Sequence, residues 1–498
     1  MNSLLNKIKA YSGFFGAFSI IAILAFAFHY PIWIIDALTS EPVTGFGIKI
    51  SAWRLIFEPF TGPLLFYLRA DQPLLEFIVL IIWIISLSLI ISFVSTLLFK
   101  KTRGISAVLY KFLPWLKKTP LIFSIWLGLL LVIIFLNLPA NTITNNLEDT
   151  ILINTHSHTE YSHDGIISTE DLLKWHGYHR FDAFFITDHN HHEKTLEAVK
   201  AQDEGTLPPS PLIIAGEEFS GSNHMTLLGL RRNFITRSLS DQQVIDSTHE
   251  NNGVVIVAHW FDGERKSIPY FIKMGVDGFE IANQNTGLSY DRRIFNNIKK
   301  ACNSHGLIMN GAADYHGYGS TCFVWNALEI QGWHKMDNNQ KREAILDVLR
   351  LKDMSKIKVL LYNDRKVFDR AQVSLSPVYT IISYFRTLNF LQVLSWFFWV
   401  IIIKNIRLSL LDRNRFKQLN IGALKVLEIL SFLSSLFILT LGFILHDRSQ
   451  NLVDYNDIYS EYGTIMIWSG TGFLIYLMVL IIFEIRVMRL KRNHIKNK

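Results

Sequence analysis

Cysteine is nearly absent. Cys302 and Cys322 are the only two in 498 residues, too few for a disulfide-stapled scaffold or a cysteine-caged zinc domain. Charge is scarce as well: Asp, Glu, Lys and Arg make up 18% of the chain, against roughly 25% in soluble globular proteins. An ordinary soluble enzyme along the whole length is therefore excluded. No G-x-S-x-G motif and no Cys–His pairing signals a covalent nucleophile. Positive charge is missing where a nucleic-acid-binding domain would need it. The formal net charge is +7, yet residues 141–375 hold 24 Lys and Arg against 30 Asp and Glu. The basic excess belongs to the hydrophobic ends, a membrane signature, and no nucleic-acid scaffold is expected. Disorder is excluded by the 50% hydrophobic and 13% aromatic content.

What is present at both ends is long and apolar. Six runs approach or exceed the roughly 20 residues needed to cross a bilayer: Gly13–Ile35, Leu74–Phe99, Pro120–Leu138, Leu388–Ile403, Ile421–Leu445 and Gly463–Ile485. The fourth is short, and Tyr379–Tyr384 is expected to extend it. Lys and Arg crowd the 100–118 connection, the 404–420 loop and the C-terminal tail, while the 446–462 connection is net acidic. The positive-inside rule then sets both termini in the cytoplasm and residues 141–375 outside it. The expected protein is a multi-pass integral membrane protein of the bacterial inner membrane. It has a three-helix membrane domain over 1–140, an extracytoplasmic domain over 141–375, and a second three-helix membrane domain with a basic cytoplasmic tail over 376–498. Leu55–Leu68, broken by Pro59 and Pro63 and carrying Glu58, reads as interfacial or re-entrant. Lys425 and Glu428, three apart within the fifth run, read as a mutual ion pair.

The middle segment changes character. Short apolar runs at Ile151–Thr155, Ala183–Thr187, Leu212–Ala215, Met225–Leu228, Val254–Ala258, Gly278–Ala282 and Leu307–Gly311 predict strands covered on both faces. Amphipathic stretches at Ser168–Tyr178, Ser240–Asn251, Ser289–His305 and Asn339–Leu351 predict helices, with Ser168, Ser240 and Ser289 as N-caps. The alternation argues for parallel βα units closing into a barrel or a doubly wound sheet. Fourteen of the seventeen histidines lie here. Five strand runs end in metal-ligand chemistry: His156 and His158, Asp188 and His189, Glu217 and Glu218, His259, and Asp314 and His316. Strand ends of one direction converge on one mouth, and the i,i+2 spacing of His156 and His158 keeps both on one side of an extended chain. Imidazole and carboxylate without thiolate suit Zn, Mn or Fe(II).

The runs HSHTEYSHDG, ITDHN, AGEEFSG with HMTLLGL, VVIVAHW, DGFEIAN and GAADYHG resemble, in order, the motifs of the polymerase and histidinol phosphatase (PHP) superfamily, over roughly residues 150–320. The resemblance implies an α/β fold, a distorted (β/α)7 barrel inserted here between the two transmembrane segments. It implies two or three divalent metal ions (Mn, Fe or Zn) and metal ligands at His156, His158, Asp164, His189, Glu218, His224, His259, Asp314 and His316. The Gly-x-Glu form of the acidic motif selects Glu218 over Glu217. His163, His176, His179, His191, His192, His249, His305 and His334 match no ligand position. Glu280 ends a strand at the same rim, in reach of a ligand or of the substrate, with a packing role the alternative.

The expected reaction is hydrolysis of a phosphate ester by a metal-activated hydroxide. His259 or His224 would protonate the leaving oxygen where free of the metals, and Arg265 and Lys266, in a loop near the mouth, would hold the substrate phosphate. The substrate expected of a membrane-anchored enzyme is an envelope- or lipid-linked phosphate ester, with the lipid bilayer as the other partner. The alternative is a membrane sensor that uses the PHP-like domain as a metal- or ligand-binding module.

Overall fold

β-Branched and aromatic residues concentrated in runs of four to seven dictate most of the architecture, since such side chains pack well on a pleated surface. The structure, a computed structural model, describes residues 2–69, 138–262, 266–284, 292–365, 373–412, 420–450 and 456–496, with isolated positions between 75 and 132. Two units divide the chain, one of residues 1–76 and 133–399, the other of 77–132 and 400–498.

Among the described residues the first unit carries twelve strands: β1 (Trp33–Asp36), β2 (Phe46–Ile50), β3 (Asn141–Asn145), β4 (Thr150–Asn154), β5 (Ala183–Ile186), β6 (Leu212–Ser220), β7 (His224–Leu228), β8 (Val254–Val257), β9 (Gly278–Asn283), β10 (Ile308–Ala312), β11 (Val324–Glu329) and β12 (Ile357–Asn363). Ten form one sheet in the order β1-β12-β11-β4-β5-β6-β7-β8-β9-β10, and β2 pairs with β3 apart from it. All seven predicted strands are present.

The expectation of uniformly parallel βα units needs correction. Four ladders are parallel (β4–β5, β5–β6, β8–β9, β9–β10), but β7 runs antiparallel between β6 and β8. Only Gly221–Asn223 connect β6 to β7, far short of the dozen residues a parallel crossover requires, so a hairpin is forced. β11, β12 and β1 extend the sheet with antiparallel pairings.

The sheet curls until its two sides meet. Beyond β4, Ser157 forms a parallel bridge with Tyr315, and the His158 amide donates to the Tyr315 carbonyl at 2.9 Å. Nearer the base, Asn326 of β11 substitutes for a ladder. Its Nδ2 donates to the Gly311 carbonyl and its Oδ1 accepts from the Gly311 amide, both at 2.7 Å. A side chain at Gly311 would collide with Val324 and Val359, so the seam requires glycine there.

Helices Thr169–Tyr178 and Asp241–Glu250 start as expected. Ser168 accepts from the Asp171 amide, and Ser240 forms a reciprocal capping box with Gln243. Ser289 lies outside the described residues. Helices Glu193–Asp203 and Ile268–Met274 were not anticipated.

Among the described residues two helices are long and apolar enough to span a membrane, Glu428–Gln450 and Asp457–Ile482. Most of Leu74–Phe99 and of Pro120–Leu138 lies outside the described residues, so the expected three helices on each side are not counted here. The run Gly13–Ile35 is not one helix. The helix ends at Phe26, and Trp33–Asp36 become β1, held by β12 from Trp33–Asn363 to Asp36–Leu360. Nor does Tyr379–Tyr384 extend the fourth run in line: Ser376–Arg386 and Phe390–Asn405 meet at 113°. Asn389 and Gln392 exchange side-chain-to-amide bonds at 2.9 and 3.0 Å, which caps a new helix and ends continuity with the old one. Leu55–Leu68 is helical from Glu58, which is fully buried beside the Tyr384 hydroxyl at 2.9 Å. In the second unit the two long helices approach closely at Gly442, Gly463 and Gly470, where a Cβ would meet the partner backbone at 2.7 Å. Glu428 is described; the Lys425 side chain is not.

Candidate metal centre

Strand direction collects the ligand-type residues at one rim. His156 and His158 leave the end of β4, Glu218 lies on β6, His224 opens β7, His259 follows β8, and Asp314 and His316 follow β10. His156 Nε2 and His158 Nε2 stand 3.0 Å apart. Glu218 Oε2 lies 2.9 and 3.2 Å from them, and Asp314 Oδ1 3.3 and 3.1 Å. A second group, His158, Asp164 and His189, adjoins the first, and a third joins His189, Glu218 and His224. His316 Nε2 meets Asp164 Oδ2 at 3.1 Å, and His259 Nε2 meets Glu218 Oε1 at 3.1 Å. The nine residues named from the sequence are thus brought together. His156 and His158 are fully buried, whereas the side chains of His259 and His224 are 16% and 33% exposed and form the open edge.

The donor set fits divalent cations. His156 Nδ1 is engaged by Glu280 Oε1 at 2.8 Å, and His316 Nδ1 by the Asp314 carbonyl at 2.7 Å. Each ring so held presents Nε2 to the cluster, the arrangement by which outer carboxylates and carbonyls orient metal-binding imidazoles. His224 Nδ1 is buried 2.8 Å from Glu218 Oε1, but misaligned, and has no hydrogen-bond partner. A nitrogen crowded against a carboxylate without bonding to it suits a shared cation.

Electrostatics tell the same story. Burial pulls the His156 and His158 imidazoles down. Asp314, Glu218 and Glu280 outweigh it at His156 and raise it well above its ordinary value, and Asp164, Asp314 and Glu218 push His158 up to about 10. Burial would lift the Glu218 and Asp314 carboxyls, but the surrounding imidazoles hold both well below the carboxylate range. His259 follows His156: burial lowers it, Glu218 prevails, and it rises to about 9. The carboxylates demand positive charge at the centre, which protons or metal ions can supply.

Other candidates fall elsewhere. Glu217, on the opposite face of β6, bonds buried His192 and the Thr236 hydroxyl. Asp188 accepts from the Thr159 amide and hydroxyl at 2.6 and 2.7 Å, pinning the loop after His158. Lys266 lays its ammonium 5.4 Å from the Tyr270 ring centre, and Arg265 is outside the described residues. His163, exposed, has Nδ1 3.4 Å from Asp164 Oδ1. His176 and His179 are buried in the core, and His249 pairs with Asp277 at 2.8 Å. Cys302 and Cys322 are buried free thiols.

Three supporting residues were missed or left open. Glu280 is the orienting residue of His156, and its Oε2 also accepts from the His259 amide at 2.9 Å. Asn283 donates to Glu280 at 3.1 Å and to Asp314 at 3.2 Å. Ser162 donates to Asp164 at 2.6 Å and lies 3.2 Å from His158 Nδ1. Their only sequence signal was position, at the end of β9 and inside HSHTEYSHDG.

No protein-family model matches the chain, and no curated protein matches it in sequence. Solved structures do resemble it. An amidohydrolase from Chromobacterium violaceum, with bound sulfate and no metal, is 15% identical with a TM-score of 0.26, over 33% of this chain and 87% of that one. A protein from Bifidobacterium adolescentis, assigned by prediction as a metal-dependent phosphoesterase, is 17% identical with a TM-score of 0.28, over 34% and 88%. A two-domain protein from Bacteroides vulgatus is 15% identical with a TM-score of 0.33, over 43% of this chain and 65% of that one, so the chain spans less than two thirds of its length. That protein contains a predicted PHP-like metal-dependent phosphoesterase, and the chain is similar in structure to proteins of that kind.

Proposed function

We propose that the chain is a membrane-anchored, metal-dependent hydrolase of phosphate esters. The observation that carries the reading is the buried convergence of His156, His158, Glu218 and Asp314, with the open edge formed by His259 and His224. Divalent ions held there would supply Lewis-acid chemistry and a lowered pKa for water. The chain's own residues do the rest. Glu280 fixes the ring of His156, Asn283 ties Glu280 to Asp314, and Ser162 steadies Asp164. His259 and His224, the most exposed imidazoles of the set, would give a proton to the leaving oxygen. Arg265 and Lys266 remain the proposed holders of the substrate phosphate.

Anchoring rests on the two span-length helices, and the orientation on the basic 100–118, 404–420 and C-terminal segments. The proposed protein is a bacterial inner-membrane protein with cytoplasmic termini and an extracytoplasmic metal domain. The test uses the full chain in detergent, with metals measured by elemental analysis and hydrolysis of p-nitrophenyl phosphate and bis-p-nitrophenyl phosphate followed after loading with Mn, Fe or Zn. Full metal occupancy with no hydrolysis of these or of any other phosphate ester supplied would remove the reading.

A further inference from the structure

The apolar segments of the first unit leave the sheet at the rim that carries the metal centre. β12 points the same way as β4, because each runs antiparallel to β11. Ile153 pairs with Asn326, and Asn326 with Val359. Three residues further on, His156 therefore stands level with Tyr362, whose partner in β1 is Ile34. The helix Asn2–Phe26 reaches the sheet one residue beyond that level, at Trp33, and β12 ends there at Asn363 before the helices Ser376–Arg386 and Phe390–Asp412. A third passage crosses at the same rim. The Ala140 amide donates to the Ser320 carbonyl at 2.6 Å, four residues past His316. Laterally, β4 and β12 are two ladder steps apart, about 10 Å.

The helices gathered at this rim present apolar side chains outward. Phe15, Ile20, Ile23 and Phe26 on one, and Phe390, Leu391 and Phe398 on another, are all more than half exposed, a surface that calls for lipid rather than water. Where chain and helices join, the composition changes to Trp and Arg. Trp33 is half exposed, and the Arg365 guanidinium, partly exposed, lies 3.9 Å from the Phe66 ring centre and 3.0 Å from Asp364, whose other partner, Arg69, is buried. Aromatic and snorkelling cationic residues mark the membrane–water interface. The metal centre is thus at the depth of that interface, whose headgroup layers are about 5–8 Å thick.

Resting on the hydrolase reading above, we propose that the substrate is the phosphate ester of a membrane lipid, taken from the leaflet on which the metal-bearing rim lies. Hydrolysis needs water alone: a bond forms from the water oxygen to phosphorus, the ester P–O bond breaks, and the leaving alkoxide takes a proton. The lipid's apolar chains stay in the bilayer while its phosphate reaches the cluster sideways along the rim.

Two measurements on the full chain in nanodiscs test this. In the first, a fluorophore is attached through Tyr161→Cys, in the loop after β4, or through Leu351→Cys, 74% exposed at the opposite end of β12. Both native cysteines are buried. Headgroup-nitroxide lipid should quench the Tyr161→Cys label at least threefold more than the other. Equal or reversed quenching overturns the proposal independently of any metal. In the second, metal-loaded protein is given dioleoyl and dihexanoyl forms of phosphatidic acid and phosphatidylglycerol. The expected kcat/KM is at least tenfold higher for a dioleoyl lipid, with rates falling as that lipid is diluted in the bilayer. Equal turnover of the short-chain form overturns the lipid proposal and leaves the hydrolase standing. Failure on every ester overturns both.

Discussion

Glu280 Oε1 lies 2.8 Å from His156 Nδ1, joining the end of β9 to the end of β4 across the interior of the curled sheet. Both side chains are fully buried, so the bond is not shared with solvent. It determines which nitrogen of His156 faces the other ligands. Glu280→Gln should weaken metal affinity by about 10–100-fold, measured by competition with a chromophoric chelator, while the thermal midpoint of the chelator-treated protein changes little. Unaltered affinity would assign Glu280 to packing alone.

His156→Ala combined with His158→Ala should abolish both metal content and ester hydrolysis. The wild-type protein is expected to lose stability on chelation, by about 3 kcal/mol where free metal stood at 100 times its dissociation constant. The double variant should show no chelator-dependent shift in its melting curve. Turnover persisting in that variant would mean that the chemistry happens elsewhere.

The His176 and His179 rings give a pH dependence separable from the metals. Burial lowers His176 to about 3 and His179 to about 4. His176 Nδ1–H donates to the Leu172 carbonyl and Nε2 accepts from Asn154, each at 2.9 Å. In the unfolded chain both rings take a proton near pH 6.5, whereas the folded protein keeps them neutral. The unfolded state therefore binds more protons below that point, and stability falls as pH drops from about 6.5 toward 4. The loss is up to about 1.4 kcal/mol per pH unit for each ring. In chelator-treated protein, His176→Gln should flatten the denaturation-midpoint-versus-pH slope over that window; an identical slope would show that His176 does not titrate on unfolding.

The Asn326 amide holds the seam between β10 and β11. Asn326→Leu keeps the volume but leaves the Gly311 amide and carbonyl without these partners. The Gly311 carbonyl keeps the Thr155 hydroxyl at 3.1 Å, so the amide alone is left unpaired and the loss should be about 1–3 kcal/mol, read as a lowered thermal midpoint. A shift below 1 °C would mean that water or backbone has replaced the amide.

The strands from β4 to β10 were legible because each is a short apolar run stopped by a polar residue, and the cluster because those stops carry His, Asp or Glu. Strand direction gathers seven of the nine at one rim; Asp164 comes from the loop after β4, and His224 from the reversal of the chain into β7. β1 was hidden inside a run whose hydrophobicity also suits a helix, and composition does not separate the two. Glu217 and Glu218 are adjacent, so one faces each side of β6; which one faces inward depends on the register with β5 and β7. Glu280 and Asn283 touch the cluster only through side chains brought from other strands, a relationship absent from any local pattern.

The pairing of Trp33 with Asn363 also has a consequence for biosynthesis. At roughly 5–20 residues per second, the ribosome needs tens of seconds after releasing β1 before β12 emerges. Until then β1 waits as an open edge, tethered beside a newly made apolar helix. A fragment beginning at residue 141 would lack β1 altogether and leave β12 bare, a template for pairing with neighbouring copies. The unit that carries the candidate metal centre is thus finished by the earliest stretch of the polypeptide, and expression work should keep that stretch attached.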